Sequence, residues 1–167
     1  MPGNRWLAGS GSYRPRPGRT GADTGGNVRG QRYGPAVDRN DVSQWFDEYL
    51  DAFAACGRGE SDTVSLLAYY GVPLLLTTDG GFFAVASGDQ VIAAVQQQVD
   101  GMRAASYGRS EILRSQVTVL NATSALYVGT ISRQRSDGGE INRLTATYLV
   151  TDGPAGRRIS ALAVHSP

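Results

Sequence analysis

The stretch from Glu111 to His165 decides the fold, and it reads EILRSQVTVL NATSALYVGT ISRQRSDGGE INRLTATYLV TDGPAGRRIS ALAVH. Four runs rich in Val, Ile, Leu and Tyr predict β-strands over residues 111–120, 125–135, 141–151 and 157–165. The segments between them are rich in Asn, Asp and Gly, which is typical of tight turns. Short turns join strands that are neighbours in space, so we predict a four-stranded antiparallel meander.

The helices that cover this sheet lie upstream, because an apolar sheet face must be buried against another element. A long amphipathic helix is predicted after Asn40 or Asp41 as N-cap, since apolar residues recur there at three- and four-residue steps: Val42, Trp45, Phe46, Tyr49, Leu50, Phe53 and Ala54. Ser61 is expected to cap a second, shorter helix. A hairpin around residues 79–81 and a third helix, with a capping box from Ser87 to Gln90, complete the order.

This order predicts an α+β protein in which a curved antiparallel sheet wraps around about three N-terminal helices, as a cone with a central cavity. Side chains alternate between the two faces of a strand. Along 141–151 the more apolar set, which is expected to face the helices, consists of Leu144, Ala146, Tyr148 and Val150. The opposite set contains Arg143, Thr147 and Leu149. Together with Ile131, this outer face is expected to form the interface of a homodimer.

Composition excludes several classes of protein. The chain has 167 residues with one cysteine and one histidine, so an intrachain disulfide and a Cys/His metal cluster are both excluded. No apolar run approaches ~18 residues, and no signal-peptide pattern opens the chain, so a membrane span is not expected and a cytoplasmic location is. No glycine-rich phosphate loop follows a strand, which argues against nucleotide binding. We therefore expect no cofactor.

Residues 1–38 form a segment of different character. It holds nine glycines and four prolines with few large apolar residues, which is typical of disorder. Residues 39–167 then form the folded domain. Residues 1–40 carry seven arginines and two aspartates, so a basic arm that docks a partner is one alternative. The arginines are scattered without regular aromatic spacing, which favours a dispensable extension over nucleic-acid binding.

The element order from Val42 to His165 resembles the nuclear transport factor 2-like superfamily, and more narrowly its SnoaL-like and ketosteroid isomerase-like branch. The chain is most similar to actinobacterial members whose function is uncharacterised. Members of the superfamily carry out cofactor-free isomerisation, cyclisation or dehydration, whereas others only bind ligands, dimerise or carry cargo. The resemblance therefore implies the fold and leaves function open.

The resemblance also implies candidate catalytic residues. Ketosteroid isomerases use a first-helix tyrosine as oxyanion donor and a carboxylate base near the first hairpin, positions that match Tyr49 and Asp79 here. A phenol can hydrogen-bond an enolate, and a carboxylate can remove a carbon-bound proton. The family's late-strand acid has no counterpart within residues 142–148. Related cyclases and dehydratases use a histidine, which makes His165 a third candidate.

Three functions remain open from the sequence, and one of them is the partner-docking protein that uses the Arg-rich arm. In the first, the cavity binds an apolar small metabolite and performs acid–base chemistry through Tyr49, Asp79 and His165. In the second, the chain is a non-catalytic ligand-binding or dimerisation module, in which Tyr49 is a core residue and Asp79 only a turn residue. In the first case the expected ligand-binding residues are Phe53, Tyr69, Phe83, Met102, Tyr127 and Tyr148.

Overall fold

The computed structural model describes residues 36–165. Within this range there are two α-helices, α1 (Arg39–Arg58) and α2 (Gly88–Ala104), and one 3₁₀ helix (Thr63–Ala68). The strands are β1 (Tyr70–Thr78), β2 (Gly81–Val85), β3 (Tyr107–Asn121), β4 (Ser124–Arg135), β5 (Glu140–Gly153) and β6 (Gly156–Val164). The second predicted helix is thus a single 3₁₀ segment.

The six strands form one sheet in the order β2-β1-β6-β5-β4-β3. Strands β3 to β6 are the predicted antiparallel meander, which the structure confirms. Strand β3 begins at Tyr107, four residues before its predicted start. The β1–β2 hairpin joins this meander through β1, which runs parallel to β6. The result is a curved, open α+β sheet with its helices on one face.

Two of the three predicted helix N-caps are wrong, and the third is confirmed. Asp38, rather than Asn40 or Asp41, caps α1, and its carboxylate accepts a hydrogen bond from the Asn40 backbone N–H at 2.8 Å. Asp62, rather than Ser61, caps the 3₁₀ helix. Ser87 caps α2 as predicted, accepting from the Gln90 N–H at 3.3 Å.

The folded domain includes residues before its predicted start at residue 39. Residues 1–35, which include nearly all of that segment, lie outside the described residues. Val37 is buried and its N–H donates to the Ala122 carbonyl at 3.2 Å. Residues 37 and 38 therefore belong to the folded domain.

Helix α1 is fastened to the sheet by aromatic packing. Its buried face includes Phe46, whose ring stacks on Tyr127 of β4 with 3.6 Å between centroids. The edge of Tyr148 on β5 meets the same Phe46 ring at 4.7 Å. Contacts of this kind add about 0.5–1.5 kcal/mol each beyond the area that they bury. They fix the position of α1 over the concave face of β4 and β5.

The predicted facing of β5 is confirmed, and that of Ile131 is wrong. Ala146, Tyr148 and Val150 are buried beneath the helices. Ile131 pairs directly with Leu144 across β4 and β5 and is 3% exposed. Residues directly opposite each other in adjacent strands share a face, so Ile131 lies on the inner face.

The described helices include none that is both long and apolar enough to cross a membrane.

Two helical glycines provide a test of how closely the helices pack. A Cβ added at Gly57 would lie 2.8 Å from Met102 Cε and 2.8 Å from Tyr107 Cδ1, whereas one added at Gly101 would meet nothing within 4 Å. Gly57→Ala is expected to lower the free energy of unfolding by about 1–3 kcal/mol through overpacking. Gly101→Ala, the matched control, should raise it by about 0.5–1 kcal/mol because alanine favours the helix. Urea denaturation measures both, and equal effects of the two substitutions would contradict the close packing.

Candidate ligand-binding cavity

A cavity of about 70 Å³ lies between the helices and the concave face of the sheet. Residues from α1, α2 and five strands surround it, and most of its wall is aromatic or aliphatic. The lining residues are Tyr49, Leu50, Phe53, Tyr70, Gln98, Ser110, Ile131, Arg133, Leu144, Ala146, Tyr148, Leu162 and Val164. The wall therefore combines apolar side chains with polar groups that converge from different elements.

Two tyrosines form a hydrogen-bonded pair in this wall. The hydroxyls of Tyr49 on α1 and Tyr70 on β1 lie 2.6 Å apart, and both residues are buried. Tyr49 occupies this position because it lies three residues after Phe46, on the same face of α1. Since the pair has two hydroxyl hydrogens and uses one between its members, the other can be donated elsewhere.

Arg133 brings a positive charge to the cavity. It lies near the end of β4, directly opposite Ser110 of β3, and both side chains line the cavity. Its guanidinium carbon is 5.9 Å from the centroid of the Phe53 ring, within the range of a cation–π contact. Among the described residues, no carboxylate lies within ion-pair distance of Arg133.

Tyr148 adds a buried phenol. The residue is 5% exposed, and its hydroxyl has no hydrogen-bond partner within residues 36–165. Since no fully buried polar side-chain atom among these residues lacks a partner, the hydroxyl is open to the cavity that Tyr148 lines. Burial raises the pKa of Tyr148 well above the ordinary value, and burial likewise raises the pKa values of Tyr49 and Tyr70, while the charge of Arg133 lowers all three to a smaller extent. The phenols therefore remain protonated at neutral pH and act as hydrogen-bond donors.

The structure does not bring the three predicted catalytic residues together. Tyr49 lines the cavity, whereas Asp79 lies in the exposed turn between β1 and β2 and does not. His165 is exposed, with its Nε2 2.8 Å from the Thr147 hydroxyl on the outer face of the sheet. The expected pairing of Tyr49 with an acid–base partner in the cavity is thus not formed by Asp79 or by His165.

Two of the six predicted ligand-binding residues, Phe53 and Tyr148, line the cavity. The other four pack elsewhere. Tyr69 packs its ring on Trp45 and Tyr49, and Tyr127 stacks under Phe46. Met102 is buried at the end of α2, and Phe83 is half-buried on β2. These four contribute to the core or to the hairpin rather than to the cavity wall.

Four polar residues of the cavity wall were not predicted from the sequence, namely Arg133, Tyr70, Gln98 and Ser110. A signal for Arg133 was present, because it follows the buried Tyr127 by six residues. Even-numbered steps along a strand keep the same face. The placement of Ile131 on the outer face concealed this alternation.

The cavity wall contains many hydrogen-bond donors but few groups that could accept a proton. The cavity wall contains one guanidinium, three phenols, one amide and one hydroxyl, and none of its residues is Asp, Glu or His. Within residues 36–165 there is no group of three or more Cys, His, Asp or Glu side chains that could hold a metal ion.

A curved sheet with a helix-covered concave face and an internal cavity defines the class of α+β cones with a cystatin-like fold. A sequence profile of the family described as NTF2-like protein (DUF6841) matches residues 39–167. The chain belongs to this NTF2-like family. No curated protein matches the sequence.

Solved structures share the fold at low identity. A domain of unknown function with a cystatin-like fold from Nostoc punctiforme is 20% identical, with a TM-score of 0.59, over 78% of this chain and 80% of that one. The association domain of CaMKII from C. elegans is 11% identical, with a TM-score of 0.57, over 77% and 95%. An NTF-2 like protein of unknown function from Shewanella oneidensis is 17% identical, with a TM-score of 0.55, over 75% and 99%. At these identities the likeness establishes the fold alone.

The buried tyrosines are expected to make the free energy of unfolding fall at alkaline pH. Because the pKa of Tyr148 is raised in the folded state, its contribution is fully present below the ordinary tyrosine pKa of about 10 and is lost as pH rises towards the folded value. The free energy of unfolding should fall above pH ~10 by up to about 1.4 kcal/mol per pH unit for each such tyrosine. In Tyr148→Phe, the free energy of unfolding should fall less steeply with pH, because one of the buried tyrosines that lose their proton has been removed. Chemical denaturation between pH 8 and pH 11 or so measures this slope, and parallel curves for the two proteins would contradict the burial of the phenol.

Proposed function

We propose that this chain is a small-molecule-binding protein whose ligand occupies the cavity between α1, α2 and the sheet. The observation that carries the proposal is the convergence of polar groups from separate elements on one cavity that also has an aromatic and aliphatic wall. Arg133, Tyr148 and the Tyr49–Tyr70 pair come from four different elements. Ligand sites in proteins typically combine apolar walls with a few placed polar groups of this kind.

Binding without catalysis is favoured over acid–base catalysis. A general base must lie within hydrogen-bond reach of the proton that it removes, directly or through one water molecule. Among residues 36–165, no Asp, Glu or His lines the cavity, and the buried phenols hold their protons tightly. The polar groups of the wall can therefore hold and orient a ligand, but they lack a proton acceptor suited to neutral pH.

Self-association is a second candidate function, and the outer face of the sheet favours it. Across the centre of this face, Thr147 lies between Val128 of β4 and Ala163 of β6, and all three are half-buried although no described element covers them. A neighbouring apolar pair, Leu126 and Leu149, is also half-buried. The C. elegans relative of this fold is itself an association domain. We propose that a second copy of this chain covers the face.

Filling the cavity tests the first proposal. Val164 lines the cavity from the end of β6, so Val164→Phe places a larger side chain at its wall. Native mass spectrometry of freshly purified wild-type protein should detect a non-covalently bound small molecule, and Val164→Phe should lose it. Val119→Phe makes the same change on an exposed part of β3 outside the cavity and should retain the ligand. No bound molecule in the wild type, or equal retention by both variants, would contradict the proposal.

A charge on the outer face tests self-association. Light scattering at micromolar concentration should give the mass of a dimer for the wild type. Thr147→Arg should give a monomer, because each copy would then bury an unpaired charge at the interface. Ala84→Arg introduces the same charge on exposed β2 and should leave the dimer intact. A monomeric wild type, or a dimer that withstands Thr147→Arg, would exclude this face as the interface.

A further inference from the structure

The cation of the cavity has no counter-ion on the described chain. The Arg133 side chain is partly buried, and no acidic side chain within residues 36–165 pairs with it. Arg58, Arg143 and Arg157 each pair with a carboxylate. Other arginines, such as Arg103 and Arg109, donate hydrogen bonds to a carbonyl or amide oxygen instead. Arg133 makes neither kind of contact within residues 36–165. Arginine is buried mainly when it is paired, because removing its charge from water is costly. A ligand that brings a negative charge would supply the missing partner.

Hydrogen-bond donors accompany this cation. The Tyr148 hydroxyl has no partner among the described residues, and the Tyr49–Tyr70 pair retains one hydrogen that neither member uses. Arg133 lines the same cavity as Tyr49, Tyr70 and Tyr148, so the guanidinium and the three phenols face one enclosed space. Donors that surround a cation favour an acceptor-only group, and an ionised carboxylate is such a group.

The aliphatic part of the wall and the volume of the cavity limit the polarity and the size of the rest of the ligand. Ile131, Leu144, Leu162 and Val164 form its aliphatic part. A cavity of about 70 Å³ holds roughly five water-sized positions, since each needs on the order of 10–15 Å³. One cation matches one negative charge, so a dianion such as phosphate would leave charge uncompensated in an apolar enclosure.

We propose that the ligand is a short monocarboxylate of about four to six non-hydrogen atoms, with its carboxylate on Arg133 and its alkyl part against the aliphatic wall. This inference rests on the proposed function and adds the chemical class of the ligand. The guanidinium presents two parallel N–H groups to the carboxylate, as arginine commonly does. The Tyr148 hydroxyl donates a further hydrogen bond.

An acid and its amide distinguish charge recognition from shape recognition. Isobutyrate and isobutyramide have nearly the same shape and differ in charge. We expect a titration of the full chain, followed by NMR, to show isobutyrate binding at least about tenfold more tightly than isobutyramide, because charge-assisted hydrogen bonds are the stronger ones. Inorganic phosphate should bind more weakly than isobutyrate.

Substitutions of single residues test whether Arg133 causes the preference for the acid over the amide. Arg133→Gln should abolish the preference for the acid, and Tyr148→Phe should weaken acid binding several-fold. Arg143→Gln removes an exposed arginine from the outer face and should leave the preference unchanged. Circular dichroism confirms folding of each variant, and Tyr148→Phe retains the test if Arg133→Gln fails to fold.

Each alternative outcome overturns the inference in a recognisable way. Equal binding of acid and amide, or a preference that survives Arg133→Gln, would show that Arg133 does not select a carboxylate. If neither compound binds, the monocarboxylate class is wrong. In either case, a native ligand that is lost in Val164→Phe would still support the cavity as a binding site, whereas failure of that experiment would overturn the proposed function itself.

Discussion

The packing of Phe46 between Tyr127 and Tyr148 is the contact on which the rest of the site depends. With ring centroids 3.6 Å and 4.7 Å away, Phe46 fixes both the height and the rotation of α1 over the sheet. One turn later on the same face, Tyr49 is then held where its hydroxyl meets that of Tyr70. Both tyrosines line the cavity, so the shape of the cavity depends on the position of α1 over the sheet.

At the C-terminal end of α1, the packing depends on the close approach of α1 to α2 and β3. Gly57, near the end of α1, lets Met102 of α2 and Tyr107 of β3 come within the space that a side chain would need. Arg103 of α2 donates two hydrogen bonds to the Cys56 carbonyl, at 2.7 Å and 3.1 Å, and so ties α2 to the end of α1. The helices therefore form one cover over the sheet, and α2 contributes Gln98 to the cavity wall.

The fold was predictable from sequence to the extent that it is encoded locally. Turn-forming residues between apolar runs gave the meander, and apolar spacing gave α1 and its buried face. The parallel pairing of β1 with β6 was not predictable, because it joins residues nearly 90 positions apart, such as Tyr70 and Ile159, and no local pattern records it. The caps at Asp38 and Asp62 were each missed by one to three residues, since neighbouring Asn, Asp and Ser residues have similar capping preferences.

The site was less predictable than the fold, for two physical reasons. Asp79 and His165 were chosen by residue type and by family resemblance, but whether a titratable group faces a cavity depends on tertiary packing. Arg133 lies in the polar end of β4, between Ser132 and Gln134, and it reaches the cavity only because the register of β4 turns Ile131 and Arg133 inward. A lone charge on an inner face signals a site only once that face is known.

The central claim is that a ligand lies in this cavity with its charged end on Arg133. A crystal structure of the protein, purified without exchange of its natural ligand, tests this most directly. We predict continuous electron density between the aliphatic wall and Arg133, with the nearest ligand atoms at hydrogen-bond distance from the guanidinium and from the Tyr148 hydroxyl. A cavity that contains only water, or an Arg133 side chain that turns away to pair with an acidic residue of the protein, would contradict it.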